Sequence, residues 1–377
     1  MDFICSECLD NNKALSKYIN DNGFDDTCYY CNNSTKVIQK VEILELIETS
    51  IYSEWDAAEN VLGRMDGDWV GETFLTSEIL RDFMGLGEVE IFQEIDDYLP
   101  DNAWCWKDPY GISDSELMIY SWEDFCGHIK YKSRFFFQDE ITTSSMQIYP
   151  STATGVLRNV CNEILDLDII TNIPKSTKIF RVRPCAIKDN FKTTEDLGVP
   201  PNEAIKYPNR FSPSGIQTFH GANDIDTCLQ ETNKPEHAII STWETTTQIK
   251  VLDFTEDFHL VKNSEIKYND FPDILEPERR HLRHTIRFLE ALADDFIKPI
   301  VHDGREHIDY IPTQVAAEFF RKNLLTFEDD IPIDGIKYYS SKTGGINYVF
   351  FYTPENCDTG PHQKLKLIKV KKYNRPV

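Results

Sequence analysis

The chain has 377 residues, 41% of them hydrophobic and 12% aromatic, a length that calls for two or three domains and a composition that excludes a disordered chain. Its formal net charge of -24 excludes a broad nucleic-acid footprint, because phosphate is bound by lysines and arginines that displace counterions. No apolar run reaches the roughly 18 residues of a membrane span, and Met1 to Asp10 lacks a basic stretch followed by an apolar one, so neither a span nor a signal peptide is expected and the expected location is the cytoplasm.

Among the ten cysteines, Cys5 with Cys8 and Cys28 with Cys31 form two C-x2-C knuckles. In a reducing compartment such pairs bind metal more often than they form disulfides. Two residues between thiolates allow a tight turn to aim both at one tetrahedral ion, and four sulfurs leave no open position for water. The expectation is a structural zinc held by Cys5, Cys8, Cys28 and Cys31 in a module over 1–36. The other six cysteines read as buried thiols without chemistry.

From 37 to 150 the pattern predicts a helical scaffold or interaction domain. Val37, Val41, Leu44, Ile47, Ile51, Trp55 and Ala58 recur at three and four residues, which predicts one long helix with a single apolar stripe. Further helices are expected from Ser77 through Phe83, through Ile91 and Ile95, and after a Ser113/Glu116 capping box. Trp104, Trp106 and Trp122 are read as core, the usual place for tryptophan in such a domain.

The period changes after Phe137, and 151–377 reads as an α+β domain with a partly antiparallel sheet. A helix is expected over Thr154 to Leu167, strands over Lys178 to Val182, Ala238 to Trp243 and Ile249 to Phe254, and helices over Arg283 to Phe296 and Thr313 to Leu325, the last with Val315, Phe319 and Phe320 inward. Gly335 to Tyr339 and Asn347 to Tyr352 close the domain as strands. Lysines alternating with Leu, Ile and Val over Lys364 to Lys372 read as the protection of an edge strand. No G-x-G-x-x-G opens a βαβ unit, so a Rossmann site is not indicated.

The stretch Ile179-Phe180-Arg181-Val182-Arg183, then Asn209-Arg210-Phe211-Ser212-Pro213-Ser214-Gly215, Phe219-His220-Gly221-Ala222 and Leu229-Gln230-Glu231, resembles the RES domain family. So do Gly335-Ile336-Lys337-Tyr338-Tyr339-Ser340-Ser341, Gly344-Gly345-Ile346-Asn347 and Tyr310-Ile311-Pro312-Thr313-Gln314. The knuckles and helical segment are similar to the domain fused ahead of larger RES proteins. The resemblance implies an ADP-ribosyltransferase-like fold that cleaves NAD at the nicotinamide glycosidic bond by hydrolysis or phosphorolysis, as a bacterial toxin or anti-phage effector kept in check by an inhibitor or antitoxin protein. Carried over by motif, the site residues are Arg181, Arg210, Glu231 and Ser340, with Ser341 as the neighbour of the last. Here His220 stands where the family usually has Tyr.

Those residue types suit that chemistry. A guanidinium holds pyrophosphate oxygens through paired hydrogen bonds, which suits Arg181 and Arg210 to NAD. Loss of nicotinamide leaves an oxocarbenium-like ribose, which a carboxylate such as Glu231 stabilises. Ser340 would position the nicotinamide ribose or amide, and His220 would be either a second contact or a satisfied core histidine. Singly, each residue is as ordinary as any strand arginine or turn serine; the set in order carries the expectation. Transfer of ADP-ribose to a macromolecule, and an inactive RES-fold binding protein, are the other readings. The Arg279-x4-His284 spacing, similar to that of HEPN ribonucleases, is read as chance in a basic helix. An oligomer is compatible with all of these.

Overall fold

The computed structural model describes residues 2–10, 12–136, 152–167, 169–255, 273–299, 304–324 and 332–375. Two compact units emerge, one of Met1–Asp114 with Asn269–His284 and one of Ser115–Tyr268 with Thr285–Val377.

In the first unit, strands β1 (Phe3–Cys5), β2 (Phe24–Thr27) and β3 (Ser34–Gln39) make an antiparallel sheet in the order β1-β3-β2. Helix α1 (Lys13–Asn22) starts at Asn12, whose side-chain oxygen accepts from the backbone N–H groups of Ala14 and Leu15 at 3.0 and 3.1 Å, filling donors that a helix start leaves unpaired. Helix α2 (Lys40–Glu54) buries Ile43, Leu44, Ile47 and Ile51. It is shorter than the apolar stripe predicts. Val37 lies in β3 and pairs with Cys5, Val41 is exposed, and Trp55 begins β4 (Trp55–Ala57), paired with β8 (Ala103–Trp106). The three-and-four spacing ran across two strands because periodicity registers burial but not the backbone partner that decides between helix and strand.

Helix α3 (Ala58–Val61) follows, then a hairpin of β5 (Arg64–Met65) and β6 (Asp68–Trp69). Its turn residues Asp66 and Gly67 both have positive φ, 54° and 99°, the primed geometry that a two-residue hairpin requires. Strand β7 (Phe74–Leu75) completes the sheet β4-β8-β7; α4 (Thr76–Glu78) runs into a π-helical turn over Ile79–Phe83, and α5 (Phe92–Tyr98) closes the segment. Trp104 is buried with its indole N–H on Thr76 Oγ1 at 2.9 Å, and Trp55 stacks on Trp106 at 4.9 Å. Trp55 and Trp104 are core and Trp106 is half-buried against the same cluster; Trp122, on α6 (Asp114–Tyr131), is buried in the second unit.

The second unit is built on an eight-stranded sheet in the order β16-β12-β10-β11-β15-β14-β13-β9. Its strands are β9 (Ile170–Ile173), β10 (Lys178–Pro184), β11 (Phe219–Ala222), β12 (His237–Thr245), β13 (Ile249–Asp253), β14 (Gly335–Tyr339), β15 (Ile346–Phe350) and β16 (Leu365–Asn374). Every neighbouring pair is antiparallel except β13 with β14. That parallel pair needs a long crossover, supplied by α10 (Arg280–Ile297), α11 (Glu306–Asp309) and α12 (Ile311–Asn323). Helices α7 (Ala153–Asp166), α8 (Thr194–Leu197) and α9 (Ile225–Glu231) complete the unit.

On α12 the inward face is Ile311, Ala316, Ala317 and Phe320, while Val315 and Phe319 are half-buried. Small residues, invisible to a search for bulky ones, take the closest approach. β16 is an edge strand paired only to β12 among the described residues, with Lys366, Lys369, Lys371 and Lys372 exposed. The lysine-bearing edge expected from the sequence is in place.

Candidate functional site

A cleft of about 650 Å³ opens in the second unit. Arg181 reaches it from β10, Arg210 from the loop before β11, His220 from β11, Glu231 from the end of α9, Ser341 and Lys342 from the β14–β15 turn, and Asn347 from β15. Four residues marked in the sequence, Arg181, Arg210, His220 and Glu231, therefore share one cavity.

Ser340 sits differently. It is buried behind the cleft wall, and its Oγ donates to Glu231 Oε1 at 2.7 Å while accepting from the Lys342 backbone N–H at 3.2 Å. Its neighbours Ser341 and Lys342 line the wall. Asn347 Nδ2 donates to the same Oε1 at 2.8 Å.

Glu231 is placed by the fit of α9 against this hairpin. Asp224 caps the helix, accepting from Thr227 N–H at 2.8 Å and its hydroxyl at 2.6 Å, a common fix for a helix start. At the other end, Lys342 Nζ donates to the Gln230 carbonyl at 3.1 Å, where a cation offsets the negative end of the helix dipole. Gly345 makes the approach possible, since a Cβ there would meet Thr227 Oγ1 at 2.1 Å.

Arg210 is held from behind by α12. Thr313 Oγ1 donates to the Arg210 carbonyl at 2.6 Å and Gln314 Nε2 to the Asn209 carbonyl at 2.6 Å. That is the structural meaning of the Tyr310-Ile311-Pro312-Thr313-Gln314 motif. The guanidinium donates to the carbonyls of Asp295 and Lys298 at the end of α10 and lies 5.9 Å from the Tyr310 ring centre. Arg181 donates to the His220 carbonyl at 3.0 Å and lies 4.9 Å from the Phe219 ring centre. Among the described residues neither arginine forms a salt bridge.

Burial lowers the Arg181 pKa to about 10 and lowers that of Arg210 as well; both remain cationic at neutral pH. The His220 pKa is lowered to about 3 by burial and then by Arg181, so the ring is neutral, with Nε2 3.0 Å from Thr218 Oγ1. Cys228 also lines the cleft, but burial pushes its thiol up to about 12, which keeps it protonated and a poor nucleophile.

Tyr310, Tyr338 and Asn347 belong to the wall without having been assigned roles from sequence. For Asn347 and Tyr338 the available signal was strand alternation. They pair across the β14–β15 ladder and so share a face.

Away from the cleft, the sulfurs of Cys5, Cys8, Cys28 and Cys31 lie within 4.8 Å of one another. Cys5 to Cys8 is 3.8 Å, Cys5 to Cys31 is 3.5 Å and Cys8 to Cys28 is 3.7 Å. A tetrahedron of thiolates at zinc-ligand distance has edges of about 3.8 Å. The donor set therefore fits one tetrahedral ion, and all four thiols are unbridged. Of the Arg279-x4-His284 pair, Arg279 is ion-paired to Glu276 at 3.0 Å and His284 is buried.

Comparison with known proteins gives matches to two family models. The one described as RES domain matches residues 179–367, half of the chain, and the one described as HEPN/RES N-terminal domain 1 matches residues 21–143. No curated protein matches. Among solved structures, the chain is similar to one in the crystal structure of the M.tuberculosis MbcT-MbcA toxin-antitoxin complex, at 16% identity over 57% of this chain and 92% of that chain, with a TM-score of 0.32. That likeness is too distant to carry residue roles across.

Proposed function

This chain belongs to the RES domain family, and from that premise we propose that its cleft binds NAD and breaks the bond between nicotinamide and ribose. The observation that carries the reading is the pairing of two cationic guanidiniums that have no carboxylate partner among the described residues with one oriented carboxylate, all in one cavity. Each guanidinium is half-buried and bonded only to backbone carbonyls, so a ligand that supplies counter-charge is favoured there, and a dinucleotide pyrophosphate does so. Arg181 and Arg210 anchor it, Glu231 faces the ribose as positive charge develops, and neutral His220 offers a hydrogen bond without adding a cation.

In the same reading, Cys5, Cys8, Cys28 and Cys31 hold a structural zinc with no part in the reaction. The expected organisation is a module over 1–36, a scaffold over 37–150 and the catalytic part over 151–377. An enzyme that destroys NAD requires restraint, so an inhibitor or antitoxin protein is the expected partner. Water, phosphate and a macromolecular side chain are the three possible acceptors.

The test is nicotinamide release from NAD by purified, inhibitor-free protein, with ADP-ribose, its phosphorylated form and labelled macromolecule measured as products. Release that is lost in Glu231→Gln supports the reading. NAD bound but never cleaved under any acceptor condition would favour a binding protein on the same fold.

A further inference from the structure

One residue beside Glu231 has no place yet in that chemistry. Asn347 lies in β15, buried, opposite Tyr338 of β14. Its Nδ2 donates at 2.8 Å to Glu231 Oε1, the oxygen that Ser340 reaches at 2.7 Å. A carboxylate only accepts, so the amide must turn its NH2 toward it. Among the described residues no hydrogen bond reaches Glu231 Oε2.

We propose that Asn347 is a positioning residue for Glu231: with Ser340 it ties down Oε1, fixes the plane of the carboxylate and leaves Oε2 as the oxygen presented to substrate. The proposal rests on the reading of the cleft given above. A single donor on one oxygen allows the carboxylate to swing about that contact, whereas two donors from different directions remove the freedom. Both come from one hairpin. Ser340 follows β14, Asn347 lies in β15, and the pairing of Tyr339 with Ile346 fixes the spacing between them. The hairpin is itself registered on α9 by Thr343 Oγ1, 2.9 Å from Thr227 Oγ1. Hydrogen bonds to an ionised acceptor are also stronger than neutral ones, so the anchor resists the pull of a passing cationic ribose.

The experiment compares full-length wild type with Asn347→Leu, which keeps the branched shape and removes the donor, and Asn347→His, whose Nδ1 lies the same number of bonds from the backbone and can donate again. Steady-state nicotinamide release should show kcat lowered roughly tenfold or more in Asn347→Leu, KM for NAD little changed, and most of the loss recovered in Asn347→His. In a Glu231→Gln background Asn347→Leu should cost little more, since the group it orients is gone. A raised KM with kcat intact, or the same kcat loss in both backgrounds, would overturn the proposal. Crystal structures give a readout free of activity: the Glu231 carboxylate should be turned in Asn347→Leu and restored in Asn347→His, and an unmoved carboxylate in Asn347→Leu overturns the assignment. If Asn347→Leu does not fold, Asn347→Ala takes its place, removing the donor without adding bulk; an unmoved Glu231 there overturns it equally. Wild type that releases no nicotinamide would sink the proposed reaction instead, and the crystallographic arm would still decide Asn347.

Discussion

Ser340 Oγ donates to Glu231 Oε1 at 2.7 Å across 109 positions of sequence. The turn after β14 and the last residue of α9 are thereby joined at a carboxylate that faces the cleft alongside two arginines. The serine hydroxyl is committed to orienting a negative charge, which is of use where a cation forms.

Replacement of Glu231 by Gln should separate binding from chemistry. The amide keeps the size of the side chain and removes the charge, and loss of a well-placed electrostatic group costs on the order of a hundredfold or more in rate. NAD affinity by calorimetry should stay near wild type while nicotinamide release falls. Wild-type turnover in the variant would remove Glu231 from the reaction.

Arg210→Lys should impair both substrate and fold. The charge survives, but the planar fork that reaches the Asp295 and Lys298 carbonyls does not. Turnover should fall at least tenfold, by analogy with lost bidentate contacts to charged groups. The thermal midpoint should drop by roughly 2–4 °C for each kcal/mol lost in a unit of this size. A variant with full activity and an unchanged melt would show that the guanidinium serves neither end.

The four-cysteine cluster should carry close to one zinc per chain, measured by elemental analysis of freshly reduced protein. Cys28→Ser opens the tetrahedron and should lower solubility and the melting temperature of the first unit, as should a strong chelator, because metal affinity at such a site is folding free energy. No zinc in reduced wild-type protein would end the assignment.

His220 predicts a pH effect whose sign is fixed. Its pKa is lowered from 6.5 to about 3 in the folded chain, so between those values the unfolded chain binds a proton that the folded chain refuses. The stability tied to this residue is present above 6.5 and is lost as the pH falls toward 3. His220→Gln should therefore lose less in melting temperature than wild type between about pH 7 and about pH 5. Equal losses in both proteins would show that the ring is not held neutral.

Much of this was legible in the sequence, for identifiable reasons. The two C-x2-C knuckles gave the sulfur cluster because covalent spacing alone brings each pair together. The strands Lys178–Pro184, His237–Thr245 and Ile249–Asp253 showed because long β-rich runs between turns have few other solutions. Arg181, Arg210, His220 and Glu231 were reached by the order of short motifs and do meet in one cavity. What stayed hidden depends on partners distant in sequence: the three small strands around the cysteines, the end of α2 at Glu54 where Trp55 pairs with Trp106, and the shared hold of Ser340 and Asn347 on Glu231. Ser340 was expected to position substrate; its hydroxyl bonds Glu231, a contact that the sequence alone did not reveal.

The first unit draws its chain from two separate stretches, with Leu275 in its core and Arg283 paired to Glu54. On the ribosome these parts arrive far apart in time. The cysteine knuckles and their sheet can close while the chain is still short, but the core beneath α2 lacks Leu275, and Glu54 lacks Arg283, until the later stretch has been made. In between come β9 to β13 and, with them, Arg181, Arg210 and Glu231, whereas Ser340 and Asn347 follow later still. A nascent chain therefore carries the arginines and the carboxylate before it has the two donors that hold the carboxylate in place. On the proposed reading, the site gains its full chemistry only once β15 has been made.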